Sequence, residues 1–550
     1  MKSLDERFDV VVVGSGAAGS IAVKELTERG LEVLLLEAGR DITEADFVPQ
    51  PPAPPAAMSI DLVGRAKAVL QGQHRQSRRA MFKAQTSPFL VNDLKSPYAT
   101  QGGDFLWIRG QQLGGRLHSY GRVLLRGSDH EFKAASHDGH GEDWPISYAD
   151  LEPFYDRVEE FMGIYGTDEK LPNLPDGKYR GPSLFTEAEK EFKATVEQRW
   201  SERHVIPWRY AAPNLHRVPL GIVAARKTGR LTTRTDAVVS KVTVDRRTGR
   251  ADGVVFIDRK AKTEHRVSAD YVVLCASTIE SVRLLLNSAT DGHPNGLGNS
   301  SGMLGRYFMD QTPSLLFGGD PKRRGHETVN PAPDDPYYAP VGGVYIPRFN
   351  NLDGANPAEF ARGYAVQGTI GRIPVPDGNP GTVGLMAFGE MLPYYDNSIT
   401  VHPRRTDAWG IPIPRIRLQI TDNERAMMRA QVRGLREMAE ASGYQVNFAG
   451  SALGLDSTKI WPDADPISRL IFRLGFPKSM AMGAAIHECG GARMGSDPAR
   501  SVLNEHNQTW DIPNLYVTDA SSYVSNGAVG PTLTIMALTA RAAEHIAQQK

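Results

Sequence analysis

The chain has 550 residues, enough for about three to four domains of ordinary size. Its 63 basic residues balance 63 acidic ones without a block of like charge, which points away from a nucleic-acid groove or an anionic membrane surface as partner. No apolar run approaches the roughly 18 residues of a membrane span. Two cysteines, Cys275 and Cys489, permit no disulfide framework and are expected as buried reduced thiols in a cytoplasmic enzyme.

The N-terminus passes from charged residues straight into a strand, with no apolar leader or twin arginine. Residues 8–39 then read as strand, glycine turn, helix, strand. Val10–Val13 is a β-branched run of the kind buried on both faces. Gly14, Gly16 and Gly19 give GxGxxG, with Ala17 and Ala18 between them: a tight turn, a close approach of backbone to pyrophosphate, and close helix–sheet packing. Glu37, followed by Ala38, ends the second strand, where a carboxylate can accept from both ribose hydroxyls and disfavours a 2′-phosphate. This predicts a bound dinucleotide but does not separate FAD from NAD.

The proline-rich stretch 49–58 can be neither helix nor strand interior and reads as a stiff surface excursion. Residues 46–99 are expected to form an insertion, an active-site lid or an oligomer arm. In WIRGQQLGGRLHSYGRVLLRG (107–127), Gly110, Gly114 and Gly115 let the backbone lie flat against a ligand, and Arg116, Arg122 and Arg126 add cationic donors. His118 there is expected as a hydrogen-bonding histidine rather than a covalent attachment point. His130, His137 and His140 lie among turn residues, so a loop is expected and no metal. Ser147 with Asp150 predicts a capped helix over 148–162.

From Leu231 the alternation predicts a β-meander leading to YVVLCASTIESVRLLLNS, a second strand–turn–helix through Ala276 that approaches the same nucleotide. Residues 311–420 are strand-rich and studded with proline. Thr421 and Glu424 predict the start of a helix, with Met428, Val432, Leu435 and Ala439 inward, that stops at Gly443. The closing segment runs from His487 to a helix at Pro531, whose Leu533, Met536, Ala537 and Ala540 share one face. The N–H groups at the start of that helix suit an anionic ring.

With these pieces in hand, the chain resembles the glucose–methanol–choline (GMC) flavoprotein oxidoreductases over nearly its whole length. The resemblance rests on GSGAAG with Glu37, LGGRLHSYGRVLLRG (113–127), LCASTIESVRLLL (274–286) and His487 through Arg541. HECGGARMG and the segment after it are most similar to the branch of pyranose oxidases and glycoside 3-oxidases or dehydrogenases. The resemblance implies an α/β fold: a Rossmann-like FAD-binding domain (1–45, 100–130, 225–310, 481–550) interleaved with an α+β substrate domain on a mainly antiparallel sheet (131–224, 311–480). It also implies an electron acceptor, O2 or another. Gly14, Gly16, Gly19 and Glu37 would hold the ADP half of FAD, and Val239 would contact adenine. Gly114 and Gly115 would line the flavin. Asp519, Ala520, Pro531 and Thr532 would bracket the ring and the pyrophosphate.

His487 would face the substrate hydroxyl, removing its proton with a pKa near 6.5 while hydride passes to flavin N5. Two departures from the family pattern stand out. Members with covalent flavin carry histidine where this chain has Ser119, so non-covalent FAD is expected. The family's Asn or His before the last helix is replaced by Gly530, with Asn526 on the same loop as a substitute. The implied reaction is oxidation of a secondary alcohol of a sugar, glycoside or cyclitol. The alternative, motivated by Gly530, is a flavin-bound lyase or other net non-redox enzyme.

Overall fold

The computed structural model describes residues 4, 6–49, 61–80, 82–329, 332, 335, 337–338, 342–352, 357–376, 378–456 and 465–550. The prolines at 51–55 lie outside the described residues.

Two seven-stranded sheets organise the chain. The first is built on Phe8–Val13, which pairs in parallel with Val33–Leu36 on one side (Val10 opposite Val33) and with Glu264–Leu274 on the other (Val13 opposite Leu274). Leu231–Arg234 extends it beyond Val33–Leu36. The long Glu264–Leu274 strand changes partners along its length. Its first half closes an antiparallel meander with Ala251–Asp258 and Ala237–Val244, and its second half pairs in parallel with Leu515–Val517. The central residues are aliphatic and fully buried because helices cover both faces. Thus the predicted strand–turn–helix units at 8–39 and 271–288 share one sheet, with their turns at the same, carboxyl edge.

The second sheet is antiparallel: Gly454–Leu455, Gln445–Ser451, Thr312–Arg324, Pro380–Gly389, Tyr364–Ile370, Val344–Ile346 and Ile206–Pro207, in that order. Its strands alternate. Val344, Ile346, Val366, Leu385 and Ala387 point one way, into a core capped by helices Glu187–Arg199 and Asp422–Ala441. Tyr345, Gln367, Met386 and Phe388 point the other way, in register across neighbouring strands (Gln367 opposite both Tyr345 and Met386). That second face looks toward the first sheet.

Capping chemistry set several helix boundaries as expected. Helix Tyr148–Met162 begins with the Ser147/Asp150 box, and Asp422–Ala441 with Thr421/Glu424. Tyr148–Met162 packs on the last helix, Thr532–Gln549: Tyr155 and Thr534 hydroxyls share a hydrogen bond of 2.7 Å, and Arg157 pairs with Glu544. Among the described residues no helix is long and apolar enough to cross a membrane.

Candidate active site

A cleft of about 390 Å³ opens between the carboxyl edge of the first sheet and the inner face of the second. One end is the glycine turn. Gly14 has φ +97°, and a Cβ there would sit 2.4 Å from the Cys275 carbonyl oxygen; a Cβ on Gly19 would sit 1.8 Å from the Gly14 oxygen. Both positions therefore require glycine for backbone contact. Gly16 differs: a Cβ there would meet nothing within 4 Å, so its α-carbon faces open cleft at the uncapped start of helix Ala17–Glu28. Free N–H groups beside empty space are what a pyrophosphate needs.

Glu37 is buried at the cleft wall, where its carboxylate accepts from the Ser15 hydroxyl at 2.5 Å and from the Gly39 N–H at 2.8 Å. Burial pushes its pKa up, against these bonds. The Ser15 hydroxyl oxygen also accepts from the Gly114 N–H at 2.9 Å, and Gly115 comes up against Gly16. The two glycine loops thus form one cradle. Ala17, Ala18, Ala38, Gly110, Gly115, Arg116, Ser119, Val239, Ala276, Asp519, Ala520, Pro531 and Thr532 all line the same cleft. Gly19 and Gly114 stand behind it, as packing positions.

His118 is turned away. Its Nε2 lies 2.7 Å from the Leu113 carbonyl oxygen, its ring is caged by Phe47 and Phe89, and burial lowers its pKa to about 4. His130 and His137 stack at 5.7 Å in a separate hollow, and among the described residues no group of three or more ligating side chains could hold a metal. Cys275 and Cys489 are buried free thiols, their pKa values raised by burial.

The other end of the cleft is the His487 loop. The imidazole is half-buried, its ring 5.2 Å from that of Phe388, and its Nδ1 lies 2.5 Å from Gln311 Oε1. Burial and the positive charge of Arg116 depress its pKa to about 3, which corrects the expectation of an ordinary value near 6.5. The ring is neutral across the physiological range. Ile486, just before it, has φ +63°, a costly conformation for a β-branched residue. The strain is held by Asp310, whose buried carboxylate accepts from the N–H groups of Gly483 (2.6 Å) and His487 (3.1 Å). Arg116 reaches across the cleft to pair with buried Glu488 at 2.7 Å.

Two sequence-derived candidates at 526 and 530 stand differently. Asn526 is buried outside the cleft, and neither atom of its amide has a protein partner. Its expected part as a replacement at the reacting oxygen does not fit that placement. A Cβ on Gly530 would meet only the His487 ring, at 3.7 Å from Cε1 and Nε2. That is ordinary contact, and the φ of Gly530 is not left-handed, so neither sterics nor backbone demands glycine there. Glycine leaves space beside the imidazole. Sequence reading had missed Asp310, Gln311, Gln367, Phe388 and the Arg116–Glu488 pair; only the side-chain alternation of the strand holding Gln367 could have hinted at one of them.

A dinucleotide cradle at one end of a cleft and a neutral histidine at the other define a nucleotide-dependent oxidoreductase architecture. Models of the GMC oxidoreductase family match residues 222–312 and 393–539, and a model of the NAD(P)-binding Rossmann-like domain matches residues 12–45. The chain belongs to the GMC oxidoreductase family, FAD-dependent enzymes that oxidise CH–OH groups.

It is similar to 2-methyl-1,2-propanediol dehydrogenase of Mycolicibacterium austroafricanum, 27% identical, over 100% of this chain and 97% of that protein. It is also similar to a C-glycoside 3-oxidase of Arthrobacter globiformis, 27% identical over 57% of this chain and 53% of that one. Among solved structures it matches the fold of Aspergillus oryzae formate oxidase with a TM-score of 0.66 at 14% identity, over 100% of this chain and 99% of that one.

Proposed function

We propose that this protein oxidises a secondary alcohol of a sugar, glycoside or cyclitol, with His487 as the base and FAD held without a covalent bond. The observation that supports it most is the placement of His487: a neutral imidazole in the same cleft as the glycine cradle and the start of the last helix. The residues fit FAD. Gly16 offers free N–H groups to a diphosphate, and Pro531–Thr532 present a helix start to the ring. Glu37, which already accepts three hydrogen bonds, keeps one acceptor position for a ribose hydroxyl. Bound FAD would supply the two-electron acceptor for the hydride leaving the substrate carbon.

The chain's own residues do the rest. His487 takes the hydroxyl proton as the C–H bond breaks, so charge does not build on oxygen. Phe388 offers an aromatic face beside it, and the Gln367 amide, at the cleft wall, gives donors and an acceptor for neighbouring hydroxyls. A flat apolar surface plus an amide is the chemistry that a ring bearing several hydroxyls requires. The name of the C-glycoside 3-oxidase relative supports the same class, and that of the diol dehydrogenase supports a small acyclic diol as the competing substrate. Ser119 at the cleft, with His118 packed away from it, supports dissociable FAD.

The test is anaerobic bleaching of the flavin by D-glucose, methyl β-D-glucoside, myo-inositol and 1,2-propanediol, in wild type and in His487→Ala. The proposal expects a cyclic polyol to bleach the wild type fastest and His487→Ala to be slowed by about 10²–10⁴-fold. Equal bleaching in both proteins contradicts the role of His487. Turnover without bleaching favours the non-redox alternative.

A further inference from the structure

We propose that Gln311 is the positioning residue of the reaction, fixing which nitrogen of His487 carries the proton and so which one acts as base. The inference rests on the reading of His487 as base. Gln311 is 1% exposed, and its amide has no freedom to flip. Its Nε2 donates to the carbonyl oxygens of Gly527 at 2.8 Å and Val529 at 3.0 Å, which uses both amide hydrogens. Its Oε1 must therefore be the atom facing His487, and an oxygen there can only accept. Nδ1 of His487, 2.5 Å away, must carry the hydrogen.

In a neutral imidazole this leaves Nε2 bare, and Nε2 is the nitrogen beside the space left at Gly530. An imidazole left to itself prefers the opposite tautomer, with Nε2 protonated, which would offer the substrate oxygen a donor where a base is needed. Gln311 reverses that preference.

The same short segment grips the loop at two further points. Met309 and Cys489 exchange both backbone hydrogen bonds, at 2.8 and 2.9 Å, and the Asp310 carboxylate holds the His487 N–H. Met309–Gln311 is thus a three-point clamp on a strained loop, and Gln311 is its part that reaches the ring. The Gln311 amide also bridges that ring to the carbonyls of Gly527 and Val529, on the loop that leads into Gly530. The charged or titratable groups around the imidazole are Arg116 across the cleft, Glu488 next in the chain and Asp310 beneath the loop.

The direct test is the ¹⁵N spectrum of histidine-labelled holoprotein, with the His487 signals identified by difference from His487→Ala. Wild type is expected to show Nδ1 protonated and Nε2 bare from pH 8 to 5, and an Nε2-protonated ring overturns the proposal. Gln311→Met, similar in shape but unable to accept this bond, should shift the ring toward Nε2–H. It should also slow bleaching at saturating methyl β-D-glucoside or, if that sugar fails to bleach wild type, 1,2-propanediol. A loss of about 10- to 100-fold, as for other residues that orient a working histidine, is expected with the probe's dissociation constant unchanged. Gln311→Glu, held as the neutral acid because its second oxygen faces the Gly527 and Val529 carbonyls, can still accept from Nδ1. It should keep the Nδ1–H tautomer and a larger share of the rate than the Met variant. If Gln311→Met keeps tautomer and rate within about twofold of wild type, or if the Glu variant loses as much as the Met variant, the proposal falls. Retained bleaching in His487→Ala would instead remove the reading of the base itself.

Discussion

The two ends of the cleft are built on different principles. At the nucleotide end the turn takes its shape from one short stretch, Gly14 against Gly19 and Ser15 against Glu37, and Cys275 and the Gly114–Gly115 loop then close on it from elsewhere in the chain. At the histidine end almost nothing is local. His487 is positioned by Asp310 and Gln311, separated from it by more than 170 residues of chain, by Phe388 from another strand, and by the 527–530 loop. The first end is a backbone mould that leaves no room for a side chain at Gly14 or Gly19; the second is a side-chain assembly, expected to respond to substitution with graded losses.

Four changes can break or sharpen that contrast. The largest effect belongs to Gly19→Ala, because even a methyl would sit 1.8 Å from a backbone oxygen. It should abolish FAD retention, seen as loss of absorbance near 450 nm, and lower the yield of folded protein. Asp310→Asn should come next. An amide there presents a donor to at least one of two buried N–H groups, at a cost of about 1–3 kcal/mol, read as a lower melting temperature and slower flavin bleaching with FAD still bound.

The third change is pH. His487 and His118 stay neutral when folded, with pKa values of about 3 and about 4, whereas unfolded histidine takes up a proton near 6.5. At these two histidines the unfolded chain therefore binds more protons as pH falls, a contribution that destabilises below about pH 6.5. Buried Asp310 and Glu131, raised to about 7 by burial, take up protons in the folded state over the same range and oppose it. Thermal melts between pH 7.5 and 5 check the histidine share as a difference: wild type should lose more stability on acidification than His487→Ala. Over the same interval the bleaching rate should show no acid limb from His487, and a limb near 6.5 would mean an ordinary, solvated histidine. The smallest effect is Gly530→Asn, whose Cβ would meet the His487 ring at ordinary contact distance. It should leave the melting temperature alone and raise the bleaching rate by about tenfold, a fraction of the ~10²–10³ that a well-aimed stabilising donor carries. A fall in rate would mean that substrate occupies that space.

The contrast also explains what could be read from the chain alone. GxGxxG, Glu37, the capping boxes at Ser147 and Thr421 and the apolar face of the last helix are patterns within a few turns of chain, and each has a single local solution. His487 was visible through the segment HECGGARMG, but its environment was not. Its depressed pKa comes from burial and Arg116, and its tautomer from a glutamine on another element. Asn526 illustrates the converse. Closeness in sequence to Gly530 suggested closeness to the substrate, yet Asn526 is not among the residues that line the cleft.

The central claim is that His487 is the proton acceptor in a cleft that binds FAD independently of it. The measurement that addresses it most directly is anaerobic stopped-flow bleaching of purified His487→Ala beside wild type, with flavin content read from each visible spectrum first. Full yellow colour in both proteins, with bleaching slowed at least about a hundredfold in the variant, is the predicted result. Equal rates in two fully loaded proteins would contradict it.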